Sequence, residues 1–368
     1  MSFFKSIENS FREIEERENA KDGLLSFGVQ YLDDAMLGIG KNDLILVGAR
    51  SGAGKTALCC NIALANVLAG KRVHFIALEA EMYEIERRIK YQLFAKAFYD
   101  SKDEFYKLKQ KLQYMNEEEK QKLAHLENIF QEKINYQNWR YGEYLKTHHT
   151  FEGAATTAFI NKAQNLFTFY KTNDFNVSTF AMKVLECEDD TDLIIVDHVH
   201  YFDYDDDKEN SSIKEIAKTA RKLALENGKP ILLVSHLRKR DRNADEACPG
   251  LEEFHGSSDL YKIATKAITL APGYAMNTSG GGYETLIRIV KNRYDGSVTR
   301  YMAAVNYLIR EGMYEKEYYI GQANQKRDGN FICLSPDDTP EWAQHINRTA
   351  RDIVDVSKGK AGKKSVLA

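Results

Sequence analysis

Proline and cysteine are scarce in this sequence, with five of each in 368 residues. So few prolines leave little room for a proline-rich linker. The cysteines stand at 59, 60, 187, 248 and 333 and form neither a metal-ligand spacing nor a disulfide framework. That pattern points to a reducing compartment, and a cytoplasmic protein is expected. Long apolar runs are also lacking. None approaches the roughly 18 residues of a membrane span, and the N-terminus has no apolar signal core, so no membrane partner is expected. Charge of one sign is lacking too: 51 Lys and Arg against 54 Asp and Glu leave a net charge of -3. Nothing global marks a nucleic-acid binder, although a local basic patch stays open. What the chain does have is bulk, 43% of it hydrophobic. That suffices for one large α/β domain with an insertion, or for two small domains.

The most informative stretch is DLILVGARSGAGKTALCC, residues 43 to 60. Leu44, Ile45, Leu46 and Val47 read as a buried strand. A glycine-rich turn follows, then a helix through NIALANVLAG. Strand, glycine-rich loop and helix are the context of a phosphate-binding loop. Gly48, Ala49, Gly52, Ala53 and Gly54, together with Arg50 and Ser51, would let backbone N–H groups close around phosphate oxygens. The helix N-terminus adds partial positive charge. Lys55 would supply a cation to the β- and γ-phosphates, and Thr56 a hydroxyl ligand to Mg²⁺, which makes ATP with Mg²⁺ the expected cofactor. The strict pattern asks for glycine where Ala49 stands, a departure of one methyl group.

Three further strands end in polar residues. VHFIALE (73–79) carries Glu79 at its carboxyl end, where open α/β sheets bind ligands. A carboxylate there could polarise the water that attacks the γ-phosphate. Leu193 to Val196 form a buried strand ending in Asp197, the usual Mg²⁺-associated partner of a phosphate loop. ILLVSH (231–236) ends in Ser235 and His236, a placement suited to a γ-phosphate sensor. His198 and His200 would share a strand face; a metal pair is one reading, but no acid or cysteine cluster completes it.

Elsewhere, Phe4, Ile7, Phe11 and Ile14 fall on one face of a short helix that must dock on its own domain or on a neighbouring subunit. Residues 81–164 are charged helical text. Their aromatics Tyr91, Phe94, Phe98, Tyr99, Phe105 and Tyr106 are read as core rather than as a nucleic-acid platform. Helices are expected over 177–186 and 213–227 and strands over 165–169 and 268–270. A hairpin is expected over 285–307, turning at Asp295-Gly296. DYDDDKE (203–209) is acidic and disfavours DNA contact there. Arg238, Lys239, Arg240 and Arg242 form a solvated basic run or a phosphate-backbone contact. Lys291 and Arg293 share one strand face, as a surface pair or as cations reaching a phosphate across a subunit boundary. The last residues, 357–368, are basic and read as a disordered tail.

In this order the motifs resemble the RecA-like motor domain of the DnaB-like replicative helicases, over roughly residues 25–80 and 165–310. ARSGAGKT is similar to that family's phosphate loop, in which Ala often takes the first slot. FIALEAEM is similar to its second motif, which implies Glu79 as catalytic base. LIIVDHVHYF corresponds to its Mg²⁺-associated strand and Asp197. LLVSHLRKR corresponds to its third motif, with His236 where the family usually has Gln; imidazole can still donate a hydrogen bond. HGSSDL, with Ser257 and Ser258, resembles the DNA-facing loop, and IVKNRYDG the late hairpin, which implies Lys291 as sensor and Arg293 as arginine finger.

The resemblance implies a RecA-like P-loop core with a mostly parallel sheet, a C-terminal β-hairpin and a helical insertion at about 95–164. The ATPase domain is expected over 23–310, between a docking helix at 1–22 and a C-terminal extension at 311–368. It implies a homo-hexameric or related ring that hydrolyses ATP to translocate on or unwind DNA during replication. Single-stranded DNA and a loader or other helper protein are the candidate partners. Three departures accompany it: no counterpart of the family's primase-contacting N-terminal domain, a long 81–164 region, and acidic text near a DNA-facing loop. A RecA-like ATPase without helicase activity, serving assembly, loading or defence, is the alternative.

Overall fold

The computed structural model describes residues 24–111, 116–204, 209–237, 248–254, 258–277, 282–323 and 331–345. The expected helix near the N-terminus and the basic tail lie outside them. In chain order the described elements are α1 (Gln30–Met36), β1 (Leu44–Ala49), α2 (Lys55–Leu68), β2 (Val73–Ala77), α3 (Glu84–Lys109), α4 (Glu117–Gln131), α5 (Tyr136–Arg140), α6 (His149–Lys162) and β3 (Leu166–Tyr170). Then come α7 (Val177–Glu186), β4 (Leu193–Asp197), α8 (Glu209–Asn227), β5 (Ile231–His236), α9 (Ser258–Ile263), β6 (Lys266–Asn277), β7 (Gly282–Asn292), β8 (Met302–Leu308), β9 (Met313–Ala323) and β10 (Phe331–Cys333).

The strands form one sheet in the order β10-β9-β8-β7-β6-β1-β5-β4-β2-β3. From β6 to β3 the neighbours are parallel; from β6 to β10 they are antiparallel. Strands β1, β4 and β5 are continuous apolar runs because both faces are covered. On one face Ile45, Val47, Ile195, Leu232 and Val234 meet α2 and the insertion; on the other Leu44, Leu46, Ile194, Val196 and Leu233 meet α7, α8 and α9.

Helices α3 to α6 form the insertion. Phe98, Phe105, Phe130 and Phe151 pack there with ring centroids 5.2–5.9 Å apart where they touch. Tyr91, Phe94, Phe98 and Phe105 are buried and Tyr99 partly so, in keeping with a core role; Tyr106 is exposed. The Tyr91 hydroxyl donates to the Arg310 carbonyl and the Gln92 amide to that of Gly312, so α3 is fastened to the β8–β9 turn. Among the described residues no helix is long and apolar enough to cross a membrane.

Two expectations differ from the structure. The sheet continues past Arg310, where a C-terminal extension was expected: β9 pairs along β8 and β10 along β9. The connection at Asp295-Gly296 is not a two-residue hairpin turn. The Asp295 carboxylate accepts from Ser297 N at 2.8 Å and starts a 3-10 turn over Gly296–Arg300.

Candidate active site

Parallel pairing brings the polar strand ends to one edge. Ala49 faces His236 across β1 and β5, and Ala77 faces Asp197 across β2 and β4. The phosphate-binding loop leaves β1 at that edge. Gly54 takes φ 92°, a left-handed conformation that glycine adopts without strain. The loop then enters α2 at Lys55 with no side chain capping the helix, which leaves amide donors and the helix dipole for an anion.

Gly48 is fixed by a close approach instead. A Cβ there would lie 2.6 Å from the Phe254 ring and 2.7 Å from Leu237 Cδ2. These two residues form an isolated antiparallel bridge over β1. Arg50 reaches the same segment, its Nη2 3.5 Å from Glu253 Oε2. The phosphate-binding loop is thus joined at two points to the chain between β5 and α9.

Lys55 is buried; its ammonium donates to the Arg50 carbonyl and meets His236 Nδ1, both at 3.2 Å. Burial lowers its pKa, opposed by the negative charge of Asp197 and Glu79. The Thr56 hydroxyl donates to Asp197 Oδ2 at 2.7 Å. Burial pushes the Asp197 carboxyl up to about 6, with the Thr56 hydrogen bond pulling the other way. Asp197 Oδ1 is buried with no hydrogen-bond partner among the described residues. A hydroxyl and a carboxylate side by side, one oxygen unspent, suit Mg²⁺, which takes one or two protein oxygens plus water and substrate phosphates. With the uncapped α2 they also suit a nucleoside triphosphate. Among the described residues no cluster of three His, Cys, Asp or Glu is arranged to hold a metal alone.

Glu79 follows β2 on the same edge, with Oε2 3.0 Å from His198 Nε2. The Tyr201 hydroxyl bonds to it as well, and burial, then Glu79's charge, raises the Tyr201 pKa. Burial, then His236, His200 and Lys55, depress the His198 imidazole to about 2, so it is neutral. His198 and His200 do not share a strand face: β4 stops at Asp197 and His200 sits in a 3-10 turn. His200 bonds instead with Ser235 Oγ at 3.2 Å and Glu209 Oε1 at 3.3 Å.

Lys291 and Arg293 lie at the opposite edge. Lys291 Nζ donates to the carbonyls of Tyr261 (2.6 Å) and Lys262 (3.0 Å), at the end of α9. Burial, then Arg293 and Arg221, lower its pKa. Arg293 N donates to Thr265 O at 2.9 Å, and Tyr294 donates to Asp43 at 3.1 Å, where β1 begins. Arg293 stands level with the start of β1, five strand steps of about 3.3 Å from Ala49, and Lys291, level with Leu46 through Ala267, is three steps away, so they lie roughly 16 Å and 10 Å back along the strands from their own phosphate-binding loop. Arg238, Lys239, Arg240 and Ser257 lie outside the described residues, and Ser258 opens α9.

Sequence reasoning brought Lys55, Thr56, Asp197, Glu79 and His236 to one edge, where the structure also places them. It missed the Glu79 contacts of His198 and Tyr201 and the packing of Phe254 on Gly48. The clustering of His198, His200 and Tyr201 directly after Asp197 was the available signal.

A sheet of this order, with a phosphate-binding loop on its central strand and acids on the flanking strand ends, defines a RecA-like P-loop ATPase fold. A sequence model of the DnaB-like helicase C terminal domain matches residues 24–124 and 94–307, most of the chain, and the chain belongs to that family of helicase-type ATPases. Among solved structures it is similar to the ATPase domain of G40P, with 18% identity and TM-score 0.61, over 90% of this chain and 100% of that one. It is also similar to a DnaB-like replicative helicase described with its interactions with primase, with 17% identity and TM-score 0.62, over 84% of this chain and 67% of that one. At such identities these two likenesses speak to fold. Comparison with curated proteins finds no match.

Proposed function

We propose that the chain is the motor domain of an ATP-hydrolysing ring that translocates on single-stranded DNA or unwinds duplex DNA. The observation that carries this reading is the Thr56–Asp197 contact of 2.7 Å beneath an uncapped helix, with Glu79 on the same edge. Bound Mg-ATP supplies the transferable phosphoryl group. Residues 49–56 bind its phosphates through backbone N–H groups, and Lys55 turns its ammonium from Arg50 and His236 toward them. Thr56 and Asp197 hold the cation. Glu79 accepts a proton from the attacking water, and His236 reports the γ-phosphate. Lys291 and Arg293, too distant in their own chain, act on the site of the next subunit, so the active form is a homo-hexamer or related ring. Within it, residues 1–22 serve as a docking segment, and the ATPase domain with its insertion runs from residue 23 on through strands β9 and β10. Arg238, Lys239, Arg240, Ser257 and Ser258 contact DNA.

The acidic run at 203–207 favours a second reading, an oligomeric ATPase of assembly, loading or defence that does not unwind DNA. ATPase titration with a single-stranded oligonucleotide at low and moderate salt, paired with fork unwinding, separates the two. Stimulation with unwinding selects the helicase. Hydrolysis indifferent to DNA, without binding even at low salt, selects the other ATPase.

A further inference from the structure

We propose that His198 is a positioning residue: it orients Glu79 and links that carboxylate to His236 and Lys55. The proposal deepens the reading of Glu79 as the base and rests on it. Glu79 lies beyond the end of β2 with its side chain 46% exposed. A carboxylate so placed samples several rotamers, whereas a general base must stand within hydrogen-bond reach of its water. Two groups confine it. His198 Nε2 stands 3.0 Å from Glu79 Oε2, and the Tyr201 hydroxyl bonds to the same side chain.

His198 is fully buried, and neither of its nitrogens makes an aligned hydrogen bond among the described residues. A phenyl ring would fill the same space without that polar cost, so packing alone does not account for an imidazole here. What the imidazole adds is a polar atom against Glu79. Its ring stands edge-on to His236, with centroids 4.2 Å apart at 79°, and to Tyr201, 4.7 Å apart at 81°. His236 Nδ1 in turn meets Lys55 Nζ at 3.2 Å. Glu79, His198, His236 and Lys55 therefore form one contiguous series. A shift of His236 or Lys55 toward a γ-phosphate would move the ring against which Glu79 is set.

The test uses the full chain and four variants: His198→Phe, His198→Gln, Glu79→Gln, and His198→Phe with Glu79→Gln. ATP affinity is read with a fluorescent analogue, and turnover by steady-state and single-turnover hydrolysis of labelled ATP. His198→Phe should lower kcat by about 10- to 100-fold, the order expected when a reacting group is displaced by an ångström. Its ATP affinity and KM should stay within about twofold of wild type, since every phosphate-binding group is retained. His198→Gln, which restores a polar atom, should recover most of the loss. In the Glu79→Gln background, His198→Phe should cause no further loss. Wild-type kcat in His198→Phe, or an equal fold loss in both backgrounds, overturns the proposal. Wild-type turnover in Glu79→Gln alone would instead overturn the reading of Glu79 as base, and the proposal would fall with it. If His198→Phe does not fold, His198→Leu takes its place with the same expected loss of kcat at unchanged ATP affinity, and wild-type kcat in that variant overturns the proposal.

Discussion

Replacing Gly48 by alanine tests how tightly the phosphate-binding strand is held to the segment before α9. The new methyl would lie 2.6 Å from Phe254 Cε1 and Cζ and 2.7 Å from Leu237 Cδ2. Ordinary carbon–carbon contacts lie at about 3.5–4.0 Å, so the ring must retreat by roughly an ångström. Gly48 cannot yield, because it is paired to Ser235 on one side and Thr269 on the other. Phe254 and Leu237 are themselves buried. Overpacking of this kind costs about 1–3 kcal/mol. At about 2–4 °C per kcal/mol for domains of 150–250 residues, Tm should fall by roughly 2–12 °C, toward the lower end for so large a sheet. The displaced segment carries Glu253, so the Arg50 contact should loosen and ATP affinity should fall as well. Phe254→Leu shortens the obstructing side chain. Combined with Gly48→Ala it should recover part of the Tm loss, a coupling of at least about 0.5 kcal/mol. Thermal melts of the two single variants and the double variant decide the matter. A Gly48→Ala protein that melts with wild type, or a strictly additive double variant, would refute the close packing of Phe254 on β1.

Lys55→Ala should leave the melting profile close to wild type while hydrolysis of labelled ATP falls to background, because charge stabilisation of the transferred phosphoryl group is gone. Mixing inactive Lys55→Ala with inactive Arg293→Ala should restore part of the ATPase, since one subunit can lend its Arg293 to the other's intact site; no recovery would argue against action between subunits. Burial, then Arg72 and Lys229, lower the His74 pKa from 6.5 to about 4. The unfolded chain therefore binds this proton first, and the stability it contributes above pH 6.5 is lost as pH falls toward 4. His74→Phe, which can keep the stack on Phe167, should flatten the fall in Tm over that window, and an unchanged Tm–pH curve would count against it. Changing Arg238, Lys239 and Arg240 together to Ala should weaken single-stranded DNA binding and reduce its log–log salt slope, by about 0.7 for each phosphate no longer neutralised.

What was legible in the sequence follows from what each residue must bury. Strands β1, β4 and β5 are covered on both faces, so they appear as unbroken apolar runs ending in a polar residue. A phosphate-binding loop on one of them then fixes which edge the other ends must share. Strand β9, MYEKEYYIGQA, escaped notice because Glu315, Lys316 and Glu317 interrupt its apolar residues. Its pairing with β8 supplies the neighbour that its composition does not advertise. The 3-10 turn after Asp295 was hidden because Asp-Gly signals a hairpin equally well, and only the hydrogen bond to Ser297 separates the two. The packing of Phe254 on Gly48 joins residues remote in sequence, which no local pattern encodes.

The same geometry bears on the proposal that Lys291 and Arg293 serve a neighbouring subunit's site. Strand β7 runs antiparallel to β6, and β6 runs parallel to β1. The end of β7 must therefore emerge where β1 starts, whatever residues it carries. A cation placed after β7 is excluded from its own phosphate-binding loop by topology, not by side-chain length. At this edge Lys291 is anchored on the carbonyls of Tyr261 and Lys262, in the helix that Ser258 opens. Arg293 is tied through its backbone to Thr265, whose hydroxyl bonds Asp43 at 2.7 Å beneath β1. The strand that carries the phosphate-binding loop at its end thus has, at its start, the residues proposed to serve the neighbouring loop. In a ring of the kind proposed, a displacement of α9 or of the start of β1 would therefore be felt by Lys291 and Arg293 through these hydrogen bonds.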